Sequence, residues 1–373
     1  MTPNRGSAGR SFAARLIAWQ KRAGRNDLPW QRVPDPYRIW LSEIMLQQTQ
    51  VATVLGYYER FLARFPDLAT LAAAPVDAVM QCWSGLGYYS RARNLHRAAG
   101  IVMARHDGRL PSGRLELEAL PGIGRSTAAA IAVFAHGARE AILDGNVKRV
   151  LARQFAVAGV PSERSVEVRL WELAESLLPH RSVARYTQAL MDLGATLCTP
   201  RAPDCKRCPV AAGCVALARG QVEEFPARRA RTRPPERGTV MLIALHAGRV
   251  LLERRPDQGL WGGLWSFPEA PDEAAALRLL EGRLGLTARE VERGPTLRHA
   301  FTHFTLAIAP LVVQVAPPAS RLGEPGLDWI ELTEVARQGV PVPVKRLAAG
   351  LAGPGTAVRR RSRISPRSGR APA

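Results

Sequence analysis

The chain has 373 residues, more than one ordinary hydrophobic core accommodates, so its length predicts two domains. Hydrophobic residues make up 46% and charged residues 23%, a balance that excludes a wholly disordered chain. The formal net charge is +20 and the isoelectric point is about 11.1, which favours a polyanionic partner. The alternative explanation of the excess positive charge is a GC-rich genome, whose codons favour arginine over lysine.

The amino-terminal segment carries arginines and leads into an amphipathic stretch, unlike the apolar centre of a signal peptide. No apolar run approaches the ~20 residues that a membrane-spanning helix needs. We therefore expect a cytoplasmic protein, associated with the nucleoid if its polyanion is DNA, and no membrane partner.

The pattern is helical from about residue 11 to residue 218. Apolar residues recur at three- and four-residue spacing in residues 40–45 and 128–134. Proline and glycine interrupt the pattern repeatedly, which indicates short connections between many helices. Residues 1–218 are therefore predicted to form a mainly α N-terminal domain.

Four of the five cysteines are crowded into residues 198–214. They are Cys198, Cys205, Cys208 and Cys214. Such crowding in a cytoplasmic chain favours a metal centre over disulfides. Four thiolates in one short loop suit either a zinc ion or an iron–sulfur cluster, and spacing alone leaves both open. Cys82 lies apart and is interpreted as a buried thiol.

The composition changes after residue 218. Residues 219–237 are rich in arginine and proline and read as a solvated linker. Residues 238–350 then show strand-like runs at 239–245 and 301–315, with a helix near 273–284 between them, which predicts a smaller α+β domain. The tail, residues 351–373, has six arginines and no acidic residue, so we expect it to be disordered and to add nonspecific DNA affinity.

Three motifs resemble known proteins. The cysteine loop directly after residues 186–194 (YTQALMDLG) resembles the cluster loop of helix-hairpin-helix DNA glycosylases of the endonuclease III superfamily. Residues 40–50 (WLSEIMLQQTQ) and 144–150 (DGNVKRV) narrow the resemblance to the MutY family of adenine DNA glycosylases. The similarity runs from about residue 28 to beyond residue 304.

The resemblance implies a fold and a reaction. It implies a helix-hairpin-helix glycosylase domain with an iron–sulfur cluster loop, followed by a Nudix-like α+β domain. The four cysteines of the loop would hold one 4Fe-4S cluster. The substrate would be double-stranded DNA that contains adenine opposite 8-oxoguanine or guanine, and the enzyme would act as a monomer in base excision repair.

A candidate DNA grip lies in residues 120–127 (LPGIGRST), between two helical patterns. Gly122 and Gly124 allow a tight turn and a close approach to a partner. The amides at the start of the second helix then form an anion site. An ordinary helical hairpin is the alternative, but the basic chain and the flanking motifs favour DNA phosphate.

Ser126 bears on the choice between two chemistries. Relatives that also cut the DNA strand have a lysine at this position, whose amine forms a Schiff base with the sugar. Ser126 therefore implies a monofunctional enzyme that uses water, although Lys148 could trap the sugar slowly. A bifunctional glycosylase-lyase for oxidised pyrimidines and a DNA-binding structural protein with a decayed site are the competing hypotheses.

Expelling adenine requires a proton on the base and stabilisation of the positive charge on the sugar. Glu43 lies among apolar helix residues, where burial would raise its pKa, and it resembles the family's general acid, delivering a proton to adenine N7. A surface glutamate is the alternative. Asp144 precedes a helix and would cap it; held ionised by the helix amides, it would face the oxocarbenium ion. Asn146 and Ser126 match polar residues near the sugar and the water.

The same resemblance assigns contacts with the flipped base. Gln48 matches the residue that fills the vacated space, and Thr49 beside it is included among the DNA contacts. Leu28 and Trp30 would line the base pocket. Tyr88 matches the ring that wedges beside the opposite guanine. Trp30 and Tyr88 have a second interpretation as ordinary core aromatics.

The C-terminal domain resembles a Nudix fold at residues 259–268 (GLWGGLWSFP). The helix that follows lacks the Arg-Glu…Glu-Glu metal box of hydrolysing members, so we expect this domain to bind and not to act as a nucleotide pyrophosphatase. Phe301, Thr302 and His303 correspond to a Phe-Ser-His loop that contacts 8-oxoguanine. Thr302 keeps the hydroxyl of the usual serine and adds a methyl group.

Overall fold

The computed structural model describes residues 5–229, 234–301, 303–316 and 326–352, with side chains from residue 12 onward. Contacts between residues divide the chain into two compact units, with the boundary between residues 232 and 233. Each unit is described by itself. No described helix is both long and apolar enough to cross a membrane.

The first unit is built from helices. They span Arg5–Ala23 (α1), Pro36–Leu46 (α2), Val51–Arg64 (α3), Leu68–Ala73 (α4), Val76–Trp83 (α5), Ser90–Arg105 (α6), Arg114–Glu118 (α7), Arg125–His136 (α8), Gly145–Gln154 (α9), Arg164–Ser176 (α10), Val183–Thr196 (α11) and Val215–Ala218 (α12). Short 3-10 turns lie at Pro29–Gln31, Cys205–Arg207 and Ala211–Gly213. The predicted mainly helical N-terminal part is confirmed.

Capping residues set the ends of the helices that matter most for function. Asp35 accepts a hydrogen bond from the backbone amide of Arg38 (2.9 Å), and Pro36 takes the first position of α2. Helix α8 ends where Gly137 adopts a left-handed backbone with φ 70°. Helix α2 therefore begins, and helix α8 ends, at a defined residue.

In the core of the first unit, helices α2 and α9 are connected through α8 and α11. Helix α8 packs against α2 and against α11, and α11 packs against α9. Leu41 of α2, Ala129 of α8, Leu151 of α9 and Leu193 of α11 are all at most 1% exposed. Close packing of this kind transmits small displacements between helices.

The second unit contains one mixed sheet. Its strands span Glu236–His246 (β1), Arg249–Arg254 (β2), Trp265–Ser266 (β3), Glu269–Ala270 (β4), Ala288–Arg293 (β5), Leu297–Ala300 (β6), Thr305–Val315 (β7) and Leu327–Glu331 (β8). The central pair β1 and β7 is parallel, from Glu236 opposite Thr305 to Leu245 opposite Gln314. The order is β3-β2-β1-β7-β5, with β4 paired to β1, β6 to β7 and β8 to β2. Every pair other than β1 and β7 is antiparallel.

Two helices accompany this sheet. Helix α13 spans Glu273–Arg278 and continues as a π-helical turn over Leu279–Arg283, and α14 spans Val342–Ala352. Leu280 from the π turn packs with Leu242 and Val313 of the central strands in one apolar core. The predicted α+β class of this part is confirmed.

The structure moves three expected boundaries. Strand β7 begins at Thr305 and not at Phe301, because the amide of Phe301 donates to the carbonyl of Phe304 (2.8 Å) and closes a turn. Strand β1 begins at Glu236, inside the segment expected to be linker. Helix α14 continues to Ala352, two residues into the expected tail, and the rest of that tail lies outside the described residues.

Candidate active site

Helix α2 carries Glu43 among apolar neighbours. Leu41, Ile44 and Met45 are almost completely buried, and the Glu43 side chain is half-buried. Burial, followed by the negative charge of Asp144, raises the pKa of Glu43 from 4.5 to about 8. At neutral pH this carboxyl group therefore holds a proton, as a general acid must.

Asp144 is the N-cap of α9, and its Oδ1 accepts a hydrogen bond from the amide of Val147 (2.7 Å). Burial raises the pKa of Asp144 more than hydrogen bonds from Val147 and Asn146 lower it. The helix amides therefore do not bring the pKa of Asp144 below its ordinary value, because burial outweighs them. The negative charge of Asp144 is the second cause of the raised pKa of Glu43, so the two carboxyl groups are coupled electrostatically.

Two polar residues adjoin Asp144. Ser126 Oγ, at the start of α8, accepts a hydrogen bond from the amide of Leu143 (2.9 Å), the residue just before the carboxylate. Asn146 hydrogen-bonds to Asp144 through its backbone and its side chain. The structure therefore brings Ser126, Asp144 and Asn146 together around one helix start.

The predicted hairpin turn lies between α7 and α8. Gly122 has φ 79°, and a Cβ there would come within 2.8 Å of the Asn94 Cβ, so the turn requires glycine. Gly124 caps α8 and places no side chain over its first amides. Gln47 Nε2, just after α2, donates to Gly122 O (3.2 Å) and Thr127 Oγ1 (3.3 Å). The hairpin is thus joined to the helix that carries Glu43.

Gln48 and Thr49 follow α2, and Tyr88 precedes α6. Gln48 (φ 55°) and Tyr88 (φ 47°) both have left-handed backbone, which is uncommon for residues with a side chain. Gln48 is exposed, and Tyr88 is 46% exposed, so Tyr88 is not a core aromatic. Thr49 Oγ1 accepts a hydrogen bond from Arg91 Nη2 (3.0 Å).

Leu28 and Trp30 lie at the 3-10 turn before α2. Both are buried, at 8% and 7% exposed, and the Trp30 ring packs edge-on against Tyr58 with centroids 5.3 Å apart. Trp30 therefore has the packing of a core aromatic. Its role in a base pocket stays a prediction.

The four loop cysteines line one pocket, with Leu197 and Val210 in its wall. Buried Arg153 donates from Nη1 to Cys198 Sγ (3.3 Å) and from Nε to the carbonyls of Val222 (3.0 Å) and Phe225 (2.9 Å). The first part of the expected linker therefore packs beside the cysteine loop and is not simply solvated.

The donor set fits a cysteine-bound metal group. Burial raises the pKa of Cys208 to about 11 and also raises the pKa of Cys205 and Cys214, so thiolates here need a cationic partner. Within the described ranges, no three His, Cys, Asp or Glu side chains converge as ligands of a single ion. Four thiols around one pocket are the donor set that zinc and iron–sulfur clusters share, so the lining fits a cysteine-bound metal group.

Sequence reasoning missed two arginines of α9. Arg149 Nη2 donates to Asn146 Oδ1 (2.7 Å) and Gly194 O (2.7 Å), and its Nε donates to Cys198 O (2.7 Å). Arg149 and Arg153 lie one helical turn apart and therefore on one face of α9, which was the available signal. Through them, one helix contacts both the carboxylate region and the cysteine loop.

Phe301 in the second unit belongs to an aromatic cluster. The centre of its ring lies 4.6 Å from that of His299, 4.6 Å from that of Phe304, with which it stacks, and 5.5 Å from that of Trp261. His303 is exposed beyond it, and Thr302 lies outside the described residues. One end of the predicted loop is thus packed while its histidine faces solvent.

Two family matches agree with these features. Residues 41–176 match the HhH-GPD superfamily of base excision DNA repair proteins, and residues 239–350 match the NUDIX domain family. A solved thermostable thymine-DNA glycosylase is 30% identical, with a TM-score of 0.52, and the match covers 57% of this chain and 98% of that one. Fold and site together define a helix-hairpin-helix base excision repair glycosylase with a NUDIX-like second unit.

Full-length relatives narrow the class. The adenine DNA glycosylase of Buchnera aphidicola subsp. Acyrthosiphon pisum is 33% identical over 90% of this chain and 96% of its own length. The adenine DNA glycosylase of Homo sapiens is 33% identical over 95% of this chain and 77% of its own length. The chain belongs to the adenine DNA glycosylase family, and the predicted fold class and DNA N-glycosylase activity are confirmed.

Proposed function

We propose that this chain, as a monomer on nucleoid DNA, hydrolyses the N-glycosidic bond of adenine mispaired with 8-oxoguanine or guanine and leaves an abasic site. The pKa of Glu43, raised to about 8 beside Asp144, carries the proposal. The names of the relatives support adenine as the excised base. The net charge of +20 suits a polyanionic substrate.

Glu43 acts as the general acid. An extruded adenine lies in a pocket lined by Leu28 and Trp30, and Glu43 gives its proton to N7. The C1′–N9 bond then breaks, its electron pair moves to the base, and adenine leaves as a neutral molecule. Water adds to C1′ of the oxocarbenium ion, and the proton that the water loses returns to the Glu43 carboxylate.

Asp144 steadies the sugar while the bond is broken. Its carboxylate offsets the positive charge on C1′, an electrostatic effect that is large in a partly buried site. Ser126 holds the backbone just before Asp144, and Asn146 hydrogen-bonds to the carboxylate. Both residues would thereby orient Asp144 and the attacking water.

Water, and not an amine, is the nucleophile. Ser126 stands where strand-cutting relatives have lysine. Lys148 is paired with Glu167 (2.6 Å), which supports a structural role for its amine. Borohydride treatment during turnover should therefore give little crosslinked DNA, whereas a glycosylase-lyase would be trapped efficiently.

Two turns and the hairpin would contact the DNA. The amides after Gly122 and Gly124 suit a phosphate, since the N-terminus of α8 carries a partial positive charge. Gln48, with Thr49 beside it, would fill the space that adenine leaves. Tyr88, with its exposed ring, would wedge beside the opposite guanine.

The second unit would read the lesion. Thr302 and His303 would contact 8-oxoguanine, and the packing of Phe301 against Trp261 supports a loop held at one end. We assign residues 1–218 to the glycosylase domain, 219–237 to the linker and 238–350 to lesion recognition, with the boundary shifts described above.

The cofactor would be one 4Fe-4S cluster held by the four cysteines of residues 198–214. When bound, the cluster would crosslink this loop, whose residues Arg201, Lys206 and Arg207 would offer positive charge to a phosphate backbone. A brown protein with four iron and four sulfide per chain would support the cluster, whereas one zinc per chain would support the alternative.

The deciding experiment is single-turnover release of adenine from a duplex with one adenine opposite 8-oxoguanine. Wild type should release adenine, and Glu43→Gln, which cannot donate the proton, should release almost none. Glu59→Gln makes the same chemical change at an exposed position of α3 and should match wild type. Equal release by Glu43→Gln and wild type would remove Glu43 as the acid.

A further inference from the structure

Arg91, in the first turn of α6, is a buried cation bound to two backbone turns. Arg91 is only 6% exposed, although arginine is rarely buried in proteins. Burial lowers the pKa of Arg91 to about 10, so it remains charged at neutral pH. Nothing in the proposed chemistry uses this charge.

The first turn that Arg91 binds ends the helix of Glu43. Its Nη1 donates to the carbonyls of Ile44 (3.0 Å), Met45 (2.7 Å) and Gln47 (2.6 Å). Carbonyls at the end of a helix lack the amide partners of the next turn and carry a partial negative charge. The guanidinium therefore caps α2 and fixes the backbone on the amino side of Gln48.

The second turn that Arg91 binds leads to Tyr88. Its Nη2 donates to the carbonyls of Gly87 (3.1 Å) and Leu86 (3.4 Å), and to Thr49 Oγ1 (3.0 Å) in the first turn. The guanidinium carbon also lies 5.5 Å from the centre of the Tyr88 ring. One planar group thus spans both turns, which an ammonium group could not do.

Backbone strain coincides with these contacts. Gln48 (φ 55°) and Tyr88 (φ 47°) lie in the left-handed region, and both flank carbonyls that Arg91 holds. Strained residues persist only where their surroundings fix them. Arg91 Nε is itself buried with no hydrogen-bond partner in the described part of the chain, a cost that packing alone does not explain.

We propose that Arg91 is a positioning residue that holds Gln48 and Tyr88 ready to enter the duplex while it caps the Glu43 helix. The DNA part of this inference rests on the proposed function. Because both turns are already ordered in the free protein, no conformational entropy is lost in ordering them when the base is extruded.

Arg91→Met tests the inference in the full-length holoprotein. Hydrogen exchange should become at least tenfold faster in residues 47–50 and 86–89. In a Glu43→Gln background, the fluorescence of 2-aminopurine opposite guanine should show at least tenfold weaker extrusion. With Glu43 intact, adenine release should slow as much, while its pH midpoint stays unchanged because the acid is untouched. Arg91→Lys should restore little of the protection from hydrogen exchange and little of the base extrusion.

Arg25→Met is the matched control. It removes an arginine whose side chain pairs with buried Asp192 (2.7 Å) and not with either turn, and it should lower Tm without changing extrusion. If both variants lost extrusion in proportion to Tm, Arg91 would be merely structural. Unchanged exchange in the two turns would also overturn the inference, whereas absence of adenine release from wild type would overturn only the proposed function.

A milder variant covers the case in which Arg91→Met does not fold. Thr49→Val deletes one acceptor of Arg91 at nearly constant volume. It should speed exchange in residues 47–50 and weaken extrusion about threefold. Wild-type values for both would contradict the proposal.

Discussion

The interior of α2 and the start of α9 present the same functional group in different settings. Glu43 lies in mid-helix, where burial and a neighbouring negative charge both raise its pKa, to about 8. Asp144 is also half-buried, but Val147 and Asn146 hydrogen-bond to it and oppose the effect of burial. Position along a helix therefore gives two carboxyl groups different electrostatic surroundings, because only the one at the helix start receives hydrogen bonds from backbone amides.

Asp144→Asn is the strongest test of this comparison. Asparagine still caps a helix but carries no charge, so we expect adenine release to fall roughly 10³-fold. The pH midpoint of the residual activity should also fall below about 8, because the second cause of the raised Glu43 pKa is gone. Single-turnover assays across pH measure both effects.

Asp67→Asn is the control for that change. Asp67 is the N-cap of α4 and accepts a hydrogen bond from the Thr70 amide (2.7 Å), so its substitution alters a cap but not the site. Its rate and pH midpoint should equal those of wild type. A midpoint that did not move in Asp144→Asn would break the link between the two carboxyl groups.

The pH dependence of stability tests whether the pKa of Glu43 is raised in the folded chain. In the folded chain the pKa of Glu43 is about 8, above its unfolded value of 4.5, so the folded state retains a proton that the unfolded state releases. The free energy of unfolding therefore falls as pH rises between these values, by about 1.4 kcal/mol for each unit of pKa shift as an upper bound. Glu43→Gln cannot ionise and escapes this loss.

Thermal unfolding checks the sign. The Tm advantage of Glu43→Gln over wild type should grow as pH is raised from the unfolded to the folded pKa of Glu43, and then level off. Glu59→Gln should show no such trend, because Glu59 is exposed. An advantage that shrank with rising pH would mean that Glu43 is ionised in the folded state.

Ser126→Ala is the smallest expected effect and concerns the Asp144 side. It removes the acceptor of the Leu143 amide (2.9 Å), a hydrogen bond worth about 1 kcal/mol. We expect adenine release to slow a few-fold and Tm to drop slightly. Ser176→Ala, which deletes an exposed hydroxyl of α10, should change neither; a full rate in Ser126→Ala would show that Leu143 needs no such anchor.

Local patterns predicted much of the architecture. Helical spacing indicated the first unit, the change in texture after residue 218 indicated the second, and the Asp-Gly pair at residues 144–145 indicated a helix start that the structure shows. These features depend on residues close in sequence. The cysteine spacing likewise marked a loop whose thiols share one pocket.

What the sequence could not show depends on distant contacts. The acceptors of Arg91 lie in residues 44–49 and 86–87, and only folding brings them together. The balance at Asp144 required knowing how deeply α9 is packed, because the amides alone suggested a lower pKa. The turn at residues 301–304 interrupts an apolar run that reads as one continuous strand.

Gly194 gives the crossing of α9 and α11 an unusual sensitivity. A Cβ at this position would lie 2.5 Å from the Asn146 Cβ, closer than two carbon atoms can approach without a bond. One methyl group would therefore act as a wedge between the helices and push the start of α9 outward. The absence of a side chain at Gly194 thus helps to set where α9 begins and, with it, the position of its N-cap Asp144.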